Sequence, residues 1–134
     1  MAYMFNAAVN GMLGGTINWG TDVFKARPVL SADTPDRDAA VMTGLGVTGV
    51  DVTLTGKTGP VKDNATDRNV FSAANFTFPL VPAGAALNKF IVFKFVTNDA
   101  ASIPIAVCDM DAVTPSGIDI AVTVPASGIF YSQQ

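Results

Sequence analysis

Residues 87–97, LNKFIVFKFVT, constrain the fold more than any other stretch of the chain. Drawn as an extended segment, it carries apolar side chains on both faces, so it reads as a central strand covered on both sides. Lys94 then has to snorkel or lie near the strand end. Elsewhere Pro and Gly cut the apolar runs short. A membrane-spanning helix needs about 20 consecutive apolar residues, and no run approaches that. A transmembrane barrel needs many more strands of ~10 residues than this length supplies.

Around that strand the pattern is again extended. Trp19 to Leu30 alternates, with Val23, Lys25, Arg27 and Val29 on one side and Phe24, Ala26, Pro28 and Leu30 on the other. Pro28 cannot donate to a ladder, which places it at an edge or a strand end. Val50, Val52 and Leu54 alternate with polar residues, GKTGP and KDNATDR read as turns, and Phe71, Ala73, Phe76 and Phe78 supply aromatic core before Pro79 and Pro82. IPIAVCDM, IDIAVTV and ASGIFY complete the set. The expectation is a single domain over residues 1–134, mainly β: an antiparallel β-sandwich of about six to seven strands.

Two helices are expected before the strand-rich region. Tyr3 to Leu13 is apolar over most of its surface and stops at Gly14 and Gly15. In SADTPDRDAAVM, Asp33 or Thr34 can cap, Pro35 suits the first helical position, and Asp36 and Asp38 complement the helix dipole. These signals predict a second short helix at 35–42. The opening residues lack the basic start of a usual signal peptide.

The sequence offers little chemistry. It has no His and no Glu among its 134 residues, so the commonest general base and transition-metal ligand are missing. A single cysteine, Cys108, excludes an internal disulfide and a cysteine-cluster metal site, and it reads as a buried small hydrophobe. Asp109 and Asp111 have the spacing of an acid pair or of calcium ligands, but a solvated strand end is the simpler reading. Asp63 to Asp67 is loosely spaced like a calcium loop, and Asx turns explain it as well. Gly44 to Gly49 lacks the Lys-Ser/Thr of a phosphate-binding loop. The eight basic residues are scattered and the net charge is −3, which gives nucleic acid no basic stripe to bind. The expectation is a protein that is not an enzyme, with no catalytic residue, no metal and no cofactor.

Charged residues make up 14% of the chain, against about 25% in a typical soluble protein. With a membrane span excluded, such a chain is expected to have part of its surface covered by other subunits. The apolar ends lack obvious core partners, so Tyr3, Met4, Phe5 and Trp19, with Ile129, Phe130 and Tyr131, are the candidate protein-interface residues. Trp19 and Tyr3, which lie outside the strand-rich half, are the better candidates for interface anchors.

In order along the chain stand NGMLGGTINW, TDVFKARPVL, SADTPDRD, VTLTGKT, KDNATDRNVFSAANFTFPL, KFIVFKFVTNDA, IPIAVCDMD and VTVPASGIFY. This ordered set resembles a family of small virion proteins of tailed bacteriophages, over nearly the full length. Phe76, Thr77 and Phe78 stand near the family's closing aromatic, and Pro125 replaces an aromatic before Ala-Ser-Gly. The resemblance implies a virion structural subunit. The favoured form is a capsid decoration or cement protein on the outer capsid surface, a homotrimer that binds the major capsid protein. A tail or baseplate component and a carbohydrate-binding adsorption module are the alternatives.

Overall fold

The central segment is a strand, and it lies in the middle of the largest sheet. The structure, a computed structural model, describes residues 3–133. Among these the elements are β1 (Tyr3–Met4), α1 (Asn6–Leu13), β2 (Phe24–Leu30), β3 (Val52–Thr53), β4 (Thr58–Asp63), β5 (Arg68–Ser72), β6 (Phe76–Phe78), β7 (Leu87–Lys94), β8 (Ile103–Val113), β9 (Ile120–Val122) and β10 (Phe130–Gln133). The fold is mainly β and every strand pair is antiparallel. A five-stranded sheet runs β1-β8-β7-β2-β3, a three-stranded sheet β10-β5-β4, and β6 pairs with β9.

β7 is covered on both sides, as its composition requires. On one face Ala26, Val92 and Ala106 stand side by side across three strands, next to Phe90 and Cys108. Phe90 meets Phe76 of β6 edge-on at 5.3 Å, and Phe24 meets Trp19 at 4.6 Å. Trp19 in turn packs nearly perpendicular to the stacked pair Phe71 and Phe130, from β5 and β10. The two smaller sheets therefore supply the second layer. On the opposite face Arg27 lies over the Phe93 ring and Lys25 over Phe95. The long connection between β2 and β3 covers that face: Met42 is fully buried and Val47 N–H donates to the Pro28 carbonyl at 2.8 Å.

That last bond explains Pro28. N and O of one strand residue point to the same side, and here that side faces the connection rather than β7. β3 reaches only Lys25 and Ala26, so no ladder bond is lost where Pro28 has no N–H.

Three expectations need correction. The first helix begins at Asn6, because Tyr3 and Met4 pair with Val107 and Ala106 of β8 and Phe5 N–H donates to Ile105. The second helix, near 35–42, does not form. Asp36 turns its carboxylate onto the Asp38 N–H at 3.0 Å, Ala39 N–H closes one turn on Asp36, and Met42 N–H donates away to Ser102. The capping residues thus serve an Asx turn, and the donors that would extend a helix go to tertiary partners. The strand count among the described residues is ten rather than six or seven, the surplus being pairs of two or three residues (β1, β3, β6, β9).

Candidate interaction surface

Four of the seven sequence-derived interface residues lie in the core. Phe5, Trp19, Ile129 and Phe130 are buried. Phe130 lies opposite Phe71 in the β5–β10 register and stacks on it at 4.6 Å. Trp19 donates its indole N–H to Thr58 O at 3.0 Å and sits among three phenylalanines. Their core partners are 5 to 111 residues away in sequence, which is why the ends looked unpartnered: Trp19 to Phe24 and Trp19 to Phe130 mark that range.

The other three, Tyr3, Met4 and Tyr131, are half-buried and come together. With Val9 and Arg37 they line a surface groove of about 320 Å³. β8 positions Tyr3 and Met4, β5 positions Tyr131, and the exposed side of α1 contributes Val9. The Tyr3 hydroxyl donates to the Pro35 carbonyl. Burial raises its pKa against the lowering effect of Arg37, so it stays a donor. The Arg37 guanidinium lies 4.8 Å from the Tyr3 ring centre, and Arg68 lies 4.3 Å from that of Tyr131. Each of the two tyrosines thus carries a cation–π partner, and Asn6 and Ser132 complete the groove. Asp36 and Asp38 adjoin Arg37, but both carboxylates are engaged elsewhere: Asp38 accepts from Asn6 of α1 at 2.5 Å and Asp36 from the Asp38 amide.

A second exposed apolar feature has no counterpart in the sequence reading. Leu80 and Ile118 are 69% and 63% exposed, in the loops that follow β6 and precede β9. The loops are bonded to each other: Val81 N–H to Ile118 O, Gly117 N–H to Val81 O, and Leu80 N–H to Asp119 Oδ1 at 2.8 Å. Leu80 holds a positive φ of 40°. Beside Ile118 runs a cleft bordered by Asp111 and Asp119. Residues 79–87 and 112–118 contain no charge. The sequence signal was there, as two charge-free, proline-bearing loops, but nothing local shows that they meet.

The titratable groups fall elsewhere. Cys108 is buried, and that burial, with Asp109 adding a smaller effect, pushes its thiol pKa well up. Asp109 and Asp111 lie on β8 beside a shallow cleft that Phe90 and Ile129 also line. Asp63 accepts from the Thr66 hydroxyl at 2.6 Å and the Ala65 amide at 3.1 Å, an Asx turn closing the β4–β5 hairpin. The strongest polar cluster is one the sequence reading missed. Arg27 donates Nε and Nη2 to Asp51, Nη1 and Nη2 to Asp99, and Nη1 to Leu45 O, at 2.8–3.1 Å. All five N–H groups of the guanidinium are used. Gly46 allows the approach, since a Cβ there would stand 2.8 Å from Arg27 Cδ.

Comparison with protein-family models, with curated proteins and with solved structures finds no match.

Proposed function

We propose that this chain is a non-enzymatic structural subunit of a tailed-phage virion: a capsid decoration or cement protein that self-associates, as a trimer, and binds the major capsid lattice from outside. The observation that carries the reading is the exterior of the single chain. Leu13, Leu80, Ile118 and Val61 stand more than half exposed on a domain with few charges. Scattered apolar side chains are ordinary on a protein surface, but Leu80 and Ile118 are adjacent and held in place, and the groove at Tyr3 and Tyr131 has the Tyr–Arg composition of an interface centre. The ordered resemblance to small virion proteins gives the assembly its name. A subunit of this kind adds buried area across lattice boundaries, and repetition at symmetric sites turns weak single contacts into firm binding.

The adsorption-module reading gains no support from the aromatics: Trp19 is in the core, and Tyr3 and Tyr131 each carry an arginine over the ring. The test is cosedimentation of the purified chain with DNA-free heads and, separately, with purified tails. Saturable pelleting with heads is expected. Pelleting with tails alone would move the chain to the tail, and pelleting with neither would remove the virion reading.

A further inference from the structure

We infer that copies of this chain associate head to tail, the Leu80–Ile118 tip of one seated in the groove between Tyr3 and Tyr131 of the next. The two surfaces are complementary. The tip is apolar at its centre and acidic at its rim, with Asp119 holding the Leu80 amide and Asp111 across the adjoining cleft. The groove has Tyr3, Met4, Val9 and Tyr131 in its lining beside Asn6 and Ser132, and Arg37 supplies its positive charge. Arg37 is exposed and forms no ion pair among the described residues, whereas Arg68, over Tyr131, is already paired with Asp63 at 3.5 Å. A guanidinium lying flat on a ring keeps its N–H edge available for a carboxylate.

The two surfaces cannot meet within one chain. Tyr3 pairs with Val107 in the middle of β8, while the tip follows the C-terminal end of that strand, beyond Val113. Six residues at the strand rise of 3.3 Å separate those points by about 20 Å. The contact is therefore between copies, and unlike surfaces at separate places along one strand give a heterologous interface, which forms a ring where its rotation closes. A two-fold pairing of tip with tip would instead bring four carboxylates together, and the same carboxylates oppose an anionic lipid surface.

Leu80 supports the same conclusion. Glycine or asparagine occupies a left-handed conformation more easily than leucine does. Here a leucine is held there by a side-chain hydrogen bond to its amide, and its side chain is mostly in solvent. Nothing inside the chain is gained by that choice, whereas a neighbour's groove would bury it.

The inference rests on the self-association part of the proposed function and not on the phage head. The experiment is the solution mass of the purified full chain by light scattering across a concentration series, with melting temperature measured in parallel. Wild type should be a small closed oligomer that dissociates more readily as salt rises. Leu80→Asn with Ile118→Asn should be monomeric and melt no lower than wild type. Asp111→Arg and Arg37→Asp should each weaken association by about tenfold or more, and the chain carrying both reversals should recover it. A wild-type monomer at high concentration would overturn this contact and the self-association reading together. A wild-type oligomer indifferent to the charge reversals would overturn this contact alone. If the tip variant fails to fold, the reversal pair decides, since it leaves both apolar surfaces intact.

Discussion

Replacing Arg27 by methionine keeps most of the side-chain length and removes the charge and all five donors. Two carboxylates and the Leu45 carbonyl then lose their partner in one step. Breaking a buried ion pair from one side costs about 3–5 kcal/mol, because the remaining charge stays desolvated. Here the arginine is 3% exposed at its side chain, but Asp51 is 22% and Asp99 37% exposed, so water can reach both. That accessibility lowers the cost to about 2–4 kcal/mol. Arg27→Lys keeps the charge but has three donors in place of a planar fork, so it should recover only part of the loss. Arg27→Met combined with Asp51→Asn and Asp99→Asn should be less damaging than the sum of the three, since the neutral amides no longer repel each other or need a counter-charge. The assay is urea unfolding followed by fluorescence of Trp19, the only tryptophan and a core residue. An Arg27→Met midpoint equivalent to less than about 0.5 kcal/mol from wild type would refute the argument: the cluster would then be a solvated surface network that holds nothing.

Three further outcomes are expected. Arg27, first through its hydrogen bonds and then through its charge, holds the Asp99 carboxyl below the usual carboxylate range. A depressed folded-state pKa contributes stability above the unfolded value, near 3.9, and that contribution is lost as pH falls through the folded value. Unfolding at fixed urea should therefore steepen below about pH 4, and Asp99→Asn should flatten that limb; parallel curves would exclude Asp99 as a source. Gly128 has φ +100°, and a Cβ there would lie 2.3 Å from Val70 Cγ1 and 2.8 Å from Phe71 O. Gly128→Ala should cost about 2 kcal/mol or more by thermal melting and loosen the Phe71–Phe130 stack, and a neutral result would contradict that close approach. Cys108 should ignore a thiol reagent in buffer and react with one equivalent in denaturant; fast labelling of the native chain would show that its burial is wrong.

The sheet framework was legible because its signals are local. Residues 87–94 announce a doubly covered strand by composition alone, and KDNATDR forms the turn expected between β4 and β5, whereas Thr58, Gly59 and Pro60 of the other expected turn, GKTGP, belong to β4, which pairs with β5. Tertiary pairing was not legible. Tyr3 and Met4 are compatible with a helix in isolation, and only the free edge of β8 draws them into a sheet. Asp36 and Asp38 are good first-turn residues that the chain spends on a turn, because Met42 is needed in the core against Ser102. The candidate surface was half legible: Tyr3, Met4 and Tyr131 share a groove, whereas Phe5, Trp19, Ile129 and Phe130 found partners no window of sequence could reveal. Arg27 shows the same limit, its acids lying 24 and 72 residues away. The one hint was an arginine whose strand, FKARPVL, is mostly apolar in a chain poor in charge.

The connection from Leu30 to Val52 contains no helix or strand, yet it is fastened along its length. Its amides donate to Ala86, Ser102 and Pro28, its Met42 is sealed in the core, and Leu45 and Asp51 are tied to the guanidinium on the sheet. Cleavage by a protease requires a locally opened chain, and this stretch cannot open without exposing the sheet face beneath it. Irregular in shape, it should open only when the whole domain does. Amide exchange across it should then follow global unfolding, so that a segment drawn as a loop behaves in time as part of the core.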